Sequence, residues 1–269
     1  MTPQLPADTG ERVLVQDPLH PRQNPHELAH VPRYAFARHL LGEPAGVVVD
    51  VACGIGYGAV QLNPDRRAAG VLGIDIDGPS LVYARHRFGA HGAFVRGSAT
   101  GLPLRDASIP AVVSLETIEH LADPAGCIGE YARVLSDGGT LVVSTPDPEM
   151  SRLFNFGDAN PFHLRELTRR EFRQALDRHF GEVEHYGQTP IDPSVWRARN
   201  DSLRNRVRRL AKSLDRAGVA RAAYLAARRV RWLDARLDQY GAIDHSIVAD
   251  RGESFLVMIA VCRRPRRDR

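Results

Sequence analysis

VVVDVACGIGYG, residues 47–58, is the stretch of this 269-residue chain that decides its fold. An apolar run rich in β-branched residues includes one acid, Asp50, and opens into closely spaced glycines. The run predicts a buried parallel strand. The glycines predict a tight turn in which the backbone comes close to a ligand, because a Cβ atom there would collide with it. The stretch therefore predicts a nucleotide-type cofactor site directly after the strand.

A second predicted strand, residues 71–75, also ends in an acid, Asp75. A carboxylate at that position can accept hydrogen bonds from ribose hydroxyls. Two cofactor classes use this layout. The G-x-G-x-x-A pattern beginning at Gly54 can be read as a dinucleotide fingerprint. Asp50, however, would repel a pyrophosphate and attract the ammonium group of S-adenosylmethionine, so we favour S-adenosylmethionine and keep a dinucleotide as the alternative.

Predicted strands alternate with predicted helices from residue 47 onward. The strands fall near residues 47–51, 71–75, 93–96, 110–115, 140–145, 181–187 and 254–262. This alternation predicts an α/β fold, a Rossmann-like doubly wound and mostly parallel sheet. Ligands of such sheets bind outside the carboxyl ends of the strands, where Asp50, Asp75 and Glu116 are expected to lie.

The chain divides into four predicted segments. These are an N-terminal helical cover (residues 1–44), a cofactor-binding core (45–191), a helical insertion before the last strand (192–252), and the last strand with a basic tail (253–269). The cover helix should begin at Pro25 and break near Pro32. Apolar residues at helical spacing predict two amphipathic helices in the insertion, serving as a surface pair, a substrate lid or a dimer contact.

Composition and charge bear on the location of the protein and on its possible ligands. The net charge is +4, and no apolar run approaches the ~20 residues of a membrane span, so we expect a cytoplasmic protein. The basic residues concentrate in residues 204–231 and in the tail. The three cysteines lack metal-ligand spacing. The HExxH pattern at residues 26–30 would need a third ligand and a supporting sheet to form a zinc peptidase site, and Pro32 follows it closely, so no metal site is expected.

Five sequence blocks occur together in one order. They are DVACGIG (50–56), GIDID (73–77), GSATGLPL (97–104), VVSLETIEHL (112–121) and RVLSDGGTL (133–141). In this order they resemble the motifs of class I S-adenosylmethionine-dependent methyltransferases. Two flanks, HVPRY (30–34) and NPFHLRE (160–166), are similar to those of bacterial methyltransferases for sugars and specialised metabolites. The resemblance implies a sheet of seven strands, the last antiparallel.

The resemblance also implies which residues hold the methionine part of the cofactor. The backbone from Ala52 through Cys53 and Gly54 to Gly56 should pass along it. Asp50 should lie near its ammonium group. Cys53 is expected to be a small loop residue and not a nucleophile, because no activating base is near it in sequence.

The nucleoside part has its own implied residues. Asp75 should hold the ribose hydroxyls, and Ile76 should pack on the adenine. Ser98 and Ala99 should lie at the adenine edge, although a serine only partly replaces the acid that many relatives carry there. Glu116 should line the floor of the site near the cofactor.

Two histidines are the catalytic candidates. His120 follows the strand at 110–115, and His163 lies in a segment where acceptor contacts are expected. A histidine near the transferred methyl group can take the proton of an alcohol or serve an amine acceptor. The alternative for each is a hydrogen-bonded structural histidine. Tyr34, on the predicted cover helix, is expected to face the cofactor.

These patterns favour methyl transfer to a hydroxyl or amine of a small bacterial metabolite. A sugar or aminosugar unit in natural-product or antibiotic biosynthesis is the favoured acceptor. One alternative is a nucleic-acid methyltransferase that docks RNA on the arginine-rich helices, and another is a non-catalytic cofactor-binding partner subunit. A second copy of the chain is a candidate partner through the helical insertion.

Overall fold

The computed structural model describes residues 25–42, 46–66, 70–150, 162–191, 247–251 and 254–266. The strands in these ranges are β1 Val48–Val51, β2 Val71–Asp75, β3 Gly92–Arg96, β4 Ile109–Leu115, β5 Leu135–Pro146, β6 Phe180–Ile191, β7 Ile247–Ala249 and β8 Ser254–Pro265. The helices are α1 Pro25–Leu41, α2 Gly58–Leu62, α3 Gly78–Phe88, α4 Pro124–Val134 and α5 Arg169–His179, with a 3₁₀ turn at Ile118–His120.

All the strands join one sheet in the order β3-β2-β1-β4-β5-β8-β6-β7. The strands from β1 to β5 pair in parallel, and β8 runs antiparallel to both β5 and β6. The chain moves outward from β1 to β3 and then returns to β4 on the other side of β1. This reversal is the position at which doubly wound sheets bind ligands. The predicted α/β fold with an antiparallel last strand is confirmed.

The sheet has one strand more than the seven expected. β7 is a three-residue edge strand that pairs antiparallel with β6, with Gly187 opposite Val248. It lies inside the segment predicted to be helical, and three residues are too few to produce a periodic signal in the sequence. Residues 192–246, with the predicted helix pair, its dimer contact and the arginine-rich stretch, lie outside the described residues.

The cover helix α1 is unbroken, whereas the sequence predicted an interruption at Pro32. Proline in a helix interior removes a hydrogen bond and crowds the preceding turn. Val31, Tyr34 and Ala37 are all buried in the core beside α2. Tertiary packing of this apolar face maintains the helix across the proline.

Successive strand residues face opposite sides of the sheet and feed two apolar layers. Val48 packs with α1, α2 and α3, while its neighbour Val49 packs with α4 and α5. The helices thus cover both faces and leave the strand ends as the accessible edges. Among helices of the described ranges, none has the length and apolar character that crossing a membrane requires.

The turn after β1 depends on two glycines in different ways. Gly54 and Gly56 both have positive φ angles, +54° and +82°. A Cβ atom added at Gly56 would lie 2.6 Å from Ala84 Cβ and from Phe94 Cε1, whereas one added at Gly54 would meet no atom within 4 Å. Gly56 is therefore required by packing against α3 and β3, and Gly54 only by its backbone conformation.

Gly56→Ala should lower the free energy of unfolding by about 2–4 kcal/mol, since it adds overpacking to a left-handed conformation. Gly54→Ala is the matched control, because it shares the left-handed strain of about 1–2 kcal/mol without the clash. Urea unfolding of both variants measures the difference. Equal losses for the two variants would contradict the packing of this turn.

Candidate active site

Acids collect at the carboxyl edge of the parallel strands. Asp50 lies near the end of β1, Asp75 ends β2, Glu116 follows β4 and Asp147 follows β5. Because β2, β1, β4 and β5 are consecutive neighbours in the sheet, these four carboxyl groups line one edge. The three positions singled out in the sequence therefore share a single edge, as expected.

Asp75 holds the glycine turn in place. Its Oδ2 accepts a hydrogen bond from Gly54 N at 2.7 Å, and its Oδ1 accepts one from Asp77 N at 2.8 Å. Ala52 is exposed and Cys53 is buried. Since the missing Cβ of Gly54 faces open space, the turn presents bare backbone next to a carboxylate. Bare backbone beside a carboxylate is a surface that a ribose-bearing ligand can approach closely.

Asp50 and Tyr34 form a buried pair. Tyr34 Oη lies 3.2 Å and 3.3 Å from the two Asp50 carboxyl oxygens, to which it donates. Burial, with a smaller contribution from Asp75, raises the pKa of Asp50 to about 8, although the Tyr34 hydrogen bond opposes the shift. Burial also raises the pKa of Tyr34 well above its usual value, so Tyr34 stays a donor. Among the residues that the structure describes, no positively charged side chain pairs with Asp50, and a ligand ammonium group would supply such a partner.

The predicted adenine side lies beyond Asp75. Ile76 is 67% exposed, which is unusual for a large apolar side chain at a strand end. Ser98 Oγ lies 2.9 Å from Thr100 Oγ1, and it accepts a hydrogen bond from Thr100 N at 3.2 Å. Ala99 presents its carbonyl oxygen to Cys127 Sγ at 3.3 Å. An exposed apolar side chain beside the Asp75 carboxylate offers a surface on which a flat aromatic ring can pack.

Glu116 joins the cofactor edge to the cover helix. Its φ of +51° is rare for a residue with a side chain and is typical of functional sites. Its Oε1 accepts a hydrogen bond from Ser144 Oγ at 2.7 Å and lies 3.3 Å from Arg33 Nη1. The buried Arg33 also donates from Nε to Gln188 Oε1 at 2.5 Å. Arg33 therefore connects α1 to the ends of β4 and β6.

The two histidines predicted from the sequence lie together. Their ring centroids are 5.0 Å apart in an edge-to-face arrangement. His120 Nδ1 lies 3.0 Å from the Phe162 carbonyl oxygen, and His163 Nδ1 lies 2.5 Å from Glu166 Oε1. Both rings are partly exposed, so a ligand can reach them.

Glu119 is the residue of this cluster that the sequence analysis did not assign. Its carboxyl group is buried; Oε2 accepts a hydrogen bond from Thr145 Oγ1 at 3.0 Å. Burial and then the charge of Glu116 raise the pKa of Glu119 well above its usual range, and Arg33 only partly opposes this. The spacing Glu116-x-x-Glu119-His120 directly after a strand was the available signal.

The backbone of Glu119 explains why the distant histidine arrives here. Its carbonyl oxygen accepts hydrogen bonds from Leu164 N at 2.9 Å and Arg165 N at 3.1 Å. These bonds fasten the segment that carries His163 to the turn after β4. The predicted flank at Asn160-Pro161 lies outside the described residues.

Part of the chain is similar in sequence to known methyltransferases. Residues 49–143 match the family described as a methyltransferase domain. A probable S-adenosylmethionine-dependent methyltransferase of Mycolicibacterium smegmatis is 37% identical over 51% of this chain and 52% of its own length. A phthiotriol/phenolphthiotriol dimycocerosates methyltransferase of Mycobacterium ulcerans is 28% identical over 55% of each chain.

Solved structures share the fold over most of the chain. The crystal structure of an S-adenosylmethionine-dependent methyltransferase of Thermotoga maritima superposes with a TM-score of 0.56 at 18% identity, covering 87% of this chain and 88% of that one. The chain spans about half the length of the curated relatives it matches. Residues 49–143 are therefore similar to a methyltransferase domain, and the solved structure shares the fold of the chain.

The raised pKa of Asp50 predicts a pH-dependent stability. The folded protein holds this proton more tightly than the unfolded chain, so stability is lost as pH rises from about 4 towards 8. Asp50→Asn removes the titration and should therefore stabilise the ligand-free protein increasingly, by up to about 1.4 kcal/mol per pH unit. Urea unfolding from about pH 5 to about pH 8 measures the difference between variant and wild type. A difference that stays constant or shrinks with pH would contradict the assignment.

Proposed function

We propose that this protein transfers a methyl group from S-adenosylmethionine to a hydroxyl or amine of a small bacterial metabolite. The observation that carries the proposal is the position of the His120–His163 pair. The pair lies just past β4, at the same edge as the cofactor acids Asp50 and Asp75. Basic nitrogen atoms beside a cofactor site are what a polar acceptor needs, because its oxygen or nitrogen must lose or lack a proton to attack.

The cofactor would be held by groups already described. Asp50 would face the ammonium group, Asp75 the ribose hydroxyls, Gly54 the chain between them and Ile76 the adenine. When bound, S-adenosylmethionine supplies a sulfonium methyl group that forms a bond to the acceptor, while the electron pair of the broken carbon–sulfur bond stays on sulfur. Because that leaving group is already good, the protein chiefly supplies proximity, alignment and the handling of the acceptor proton.

The acceptor side would use the cluster around the histidines. His120 and His163 are the proposed catalytic residues that act on the acceptor group. The Glu166 carboxylate fixes the ring of His163, and the Phe162 carbonyl oxygen fixes that of His120. A ring held in this way meets the acceptor in one orientation, which increases the effective concentration of the reacting groups.

A hydroxyl-rich metabolite, such as a sugar or aminosugar unit of a natural product, is the acceptor class we propose. Its support is the flanking sequence, HVPRY and NPFHLRE, together with the polar lining. The lining provides hydrogen-bond donors and acceptors from Arg33, Glu119 and the two histidines. Such groups suit a polar acceptor better than an apolar one, which would need apolar side chains to pack against. The name of the Mycobacterium ulcerans relative specifies phthiotriol and phenolphthiotriol dimycocerosates.

Asp75→Asn tests the cofactor half. The substitution keeps the shape but removes the charge that accepts two ribose hydroxyls, so affinity for S-adenosylmethionine should fall about 10- to 150-fold. Asp137→Asn, an exposed acid at the opposite end of β5, is the control and should bind normally. Isothermal titration calorimetry gives both constants. Absence of binding to the wild type would overturn the proposed function, and an unchanged affinity in Asp75→Asn would show that this edge is not the site.

His163→Ala tests the acceptor half. A screen of hydroxylated and aminated metabolites, read by release of S-adenosylhomocysteine, first identifies an acceptor. Turnover of the variant should then fall at least about 100-fold while its affinity for S-adenosylmethionine is kept. His86→Ala, an exposed histidine on α3, should behave as wild type. Near-normal turnover in His163→Ala would leave this histidine a structural residue.

A further inference from the structure

Three side chains of the acceptor side offer ligand atoms to a common point. Glu119, His120 and His163 each contribute one oxygen or nitrogen atom, and these atoms all lie within 4.8 Å of one another. Two imidazoles and a carboxylate form a donor set that suits first-row transition ions such as Zn²⁺. No metal site was expected from the sequence, because the three ligands of this site come from the turn after β4 and from a segment far along the chain.

The outer contacts of the two rings match those of metal-binding histidines. A carbonyl oxygen only accepts, so His120 Nδ1 donates to Phe162 O, and the neutral form of this ring has its lone pair on Nε2. Donation from His163 Nδ1 to the Glu166 carboxylate produces the same tautomer. Metal-ligating histidines almost always donate their second ring nitrogen to a carboxylate or a backbone carbonyl. Both kinds of outer partner are present here.

The carboxylate provides an independent observation. Glu119 is 1% exposed, and its Oε1 has no hydrogen-bond partner among the described residues. This oxygen lies 4.0 Å from His120 Nε2. A buried carboxylate oxygen without a partner is costly, and it commonly marks a group that receives its partner from outside the protein. Glu119 Oε1 and His120 Nε2 are therefore two potential metal ligands that lie close to each other.

We infer that Glu119, His120 and His163 form a binding site for a divalent transition-metal ion, with Glu166 and Thr145 orienting the ligands. Ligand atoms about 2.1 Å from a tetrahedral ion are roughly 3.4 Å apart, so binding draws the three groups together by about an ångström. Rotation of the partly exposed rings can supply that movement. Three protein ligands leave a fourth position, which is the open arrangement of catalytic metal sites.

The position of the ion gives it a chemical role. If the proposed function holds, the open position takes the acceptor oxygen, and the ion lowers the pKa of that hydroxyl as it does for bound water. The two histidines then act as ligands of the ion and not as bases, so the released proton passes to solvent. The oxygen lone pair forms the new bond to the methyl carbon as the carbon–sulfur bond breaks. With an ion in this site, the acceptor is expected to be a hydroxyl compound and not an amine.

The ion itself can be tested without any acceptor. Tag-free protein stripped with a chelator is titrated with Zn²⁺ by calorimetry, and Co²⁺ is added separately to read its visible ligand-field spectrum. We expect one ion per site, a spectrum of low coordination number, and much weaker binding of Mg²⁺, which prefers oxygen ligands. Glu119→Gln keeps the side-chain shape, and its loss of affinity should exceed the about 10- to 100-fold expected for the outer-sphere variant Glu166→Gln.

Two histidine controls identify the site. His86→Ala reports adventitious surface binding, and His26→Ala disrupts the HExxH pattern of α1. Both should bind Zn²⁺ as wild type does. Unchanged Zn²⁺ affinity in both Glu119→Gln and His163→Ala, or loss of binding in His26→Ala alone, would overturn the inference. Circular dichroism of each variant shows that a loss of binding is not a loss of fold.

Separate measurements test the metal site and the methyltransferase activity. Zn²⁺ binding that needs Glu119, without binding of S-adenosylmethionine, would keep the metal site and reject the methyltransferase. Binding of S-adenosylmethionine by a protein that takes no Zn²⁺ or Co²⁺ would keep the methyltransferase and reject the metal site.

Discussion

Four acidic side chains crowd the carboxyl edge of the sheet, and burial raises the pKa of two of them, Asp50 and Glu119. The four acids are Asp50, Asp75, Glu116 and Glu119. Arg33 forms an ion pair with one of them, Glu116. Buried carboxyl groups without cations are unfavourable, and the raised pKa values of Asp50 and Glu119 express that cost. A cationic cofactor beside Asp50, on one half of the edge, and a metal ion beside Glu119, on the other half, would supply the positive charges that favour the ionised form of these two carboxyl groups.

The cover helix α1 links these two halves. Tyr34 donates to the Asp50 carboxyl group on the cofactor side, and the adjacent Arg33 pairs with Glu116 on the acceptor side. Arg33 also bonds Gln188 on β6, so the helix is fastened to strands on both sides of the site. One turn of α1 therefore contacts both halves of the edge.

The sequence predicted those features that follow from local patterns. Apolar runs ending in acids located β1 and β2, and their order predicted the carboxyl edge on which Asp50, Asp75 and Glu116 lie. Features that depend on tertiary contacts escaped it. The packing of Tyr34 and Ala37 keeps α1 helical through Pro32, and β7 is too short to produce a pattern. The meeting of His120 with His163 depends on backbone bonds to the Glu119 carbonyl oxygen, which no spacing rule contains.

A crystal structure with S-adenosylhomocysteine bound would test the central claim most directly, since it shows what surrounds the space beyond the sulfur atom. The ammonium group of the ligand should lie at Asp50 and its ribose at Asp75. Its sulfur atom should face a closed space lined by Glu119, His120 and His163. A sulfur atom that faces away from this cluster, or onto a basic groove formed by residues 204–231, would contradict the account and favour a nucleic-acid acceptor.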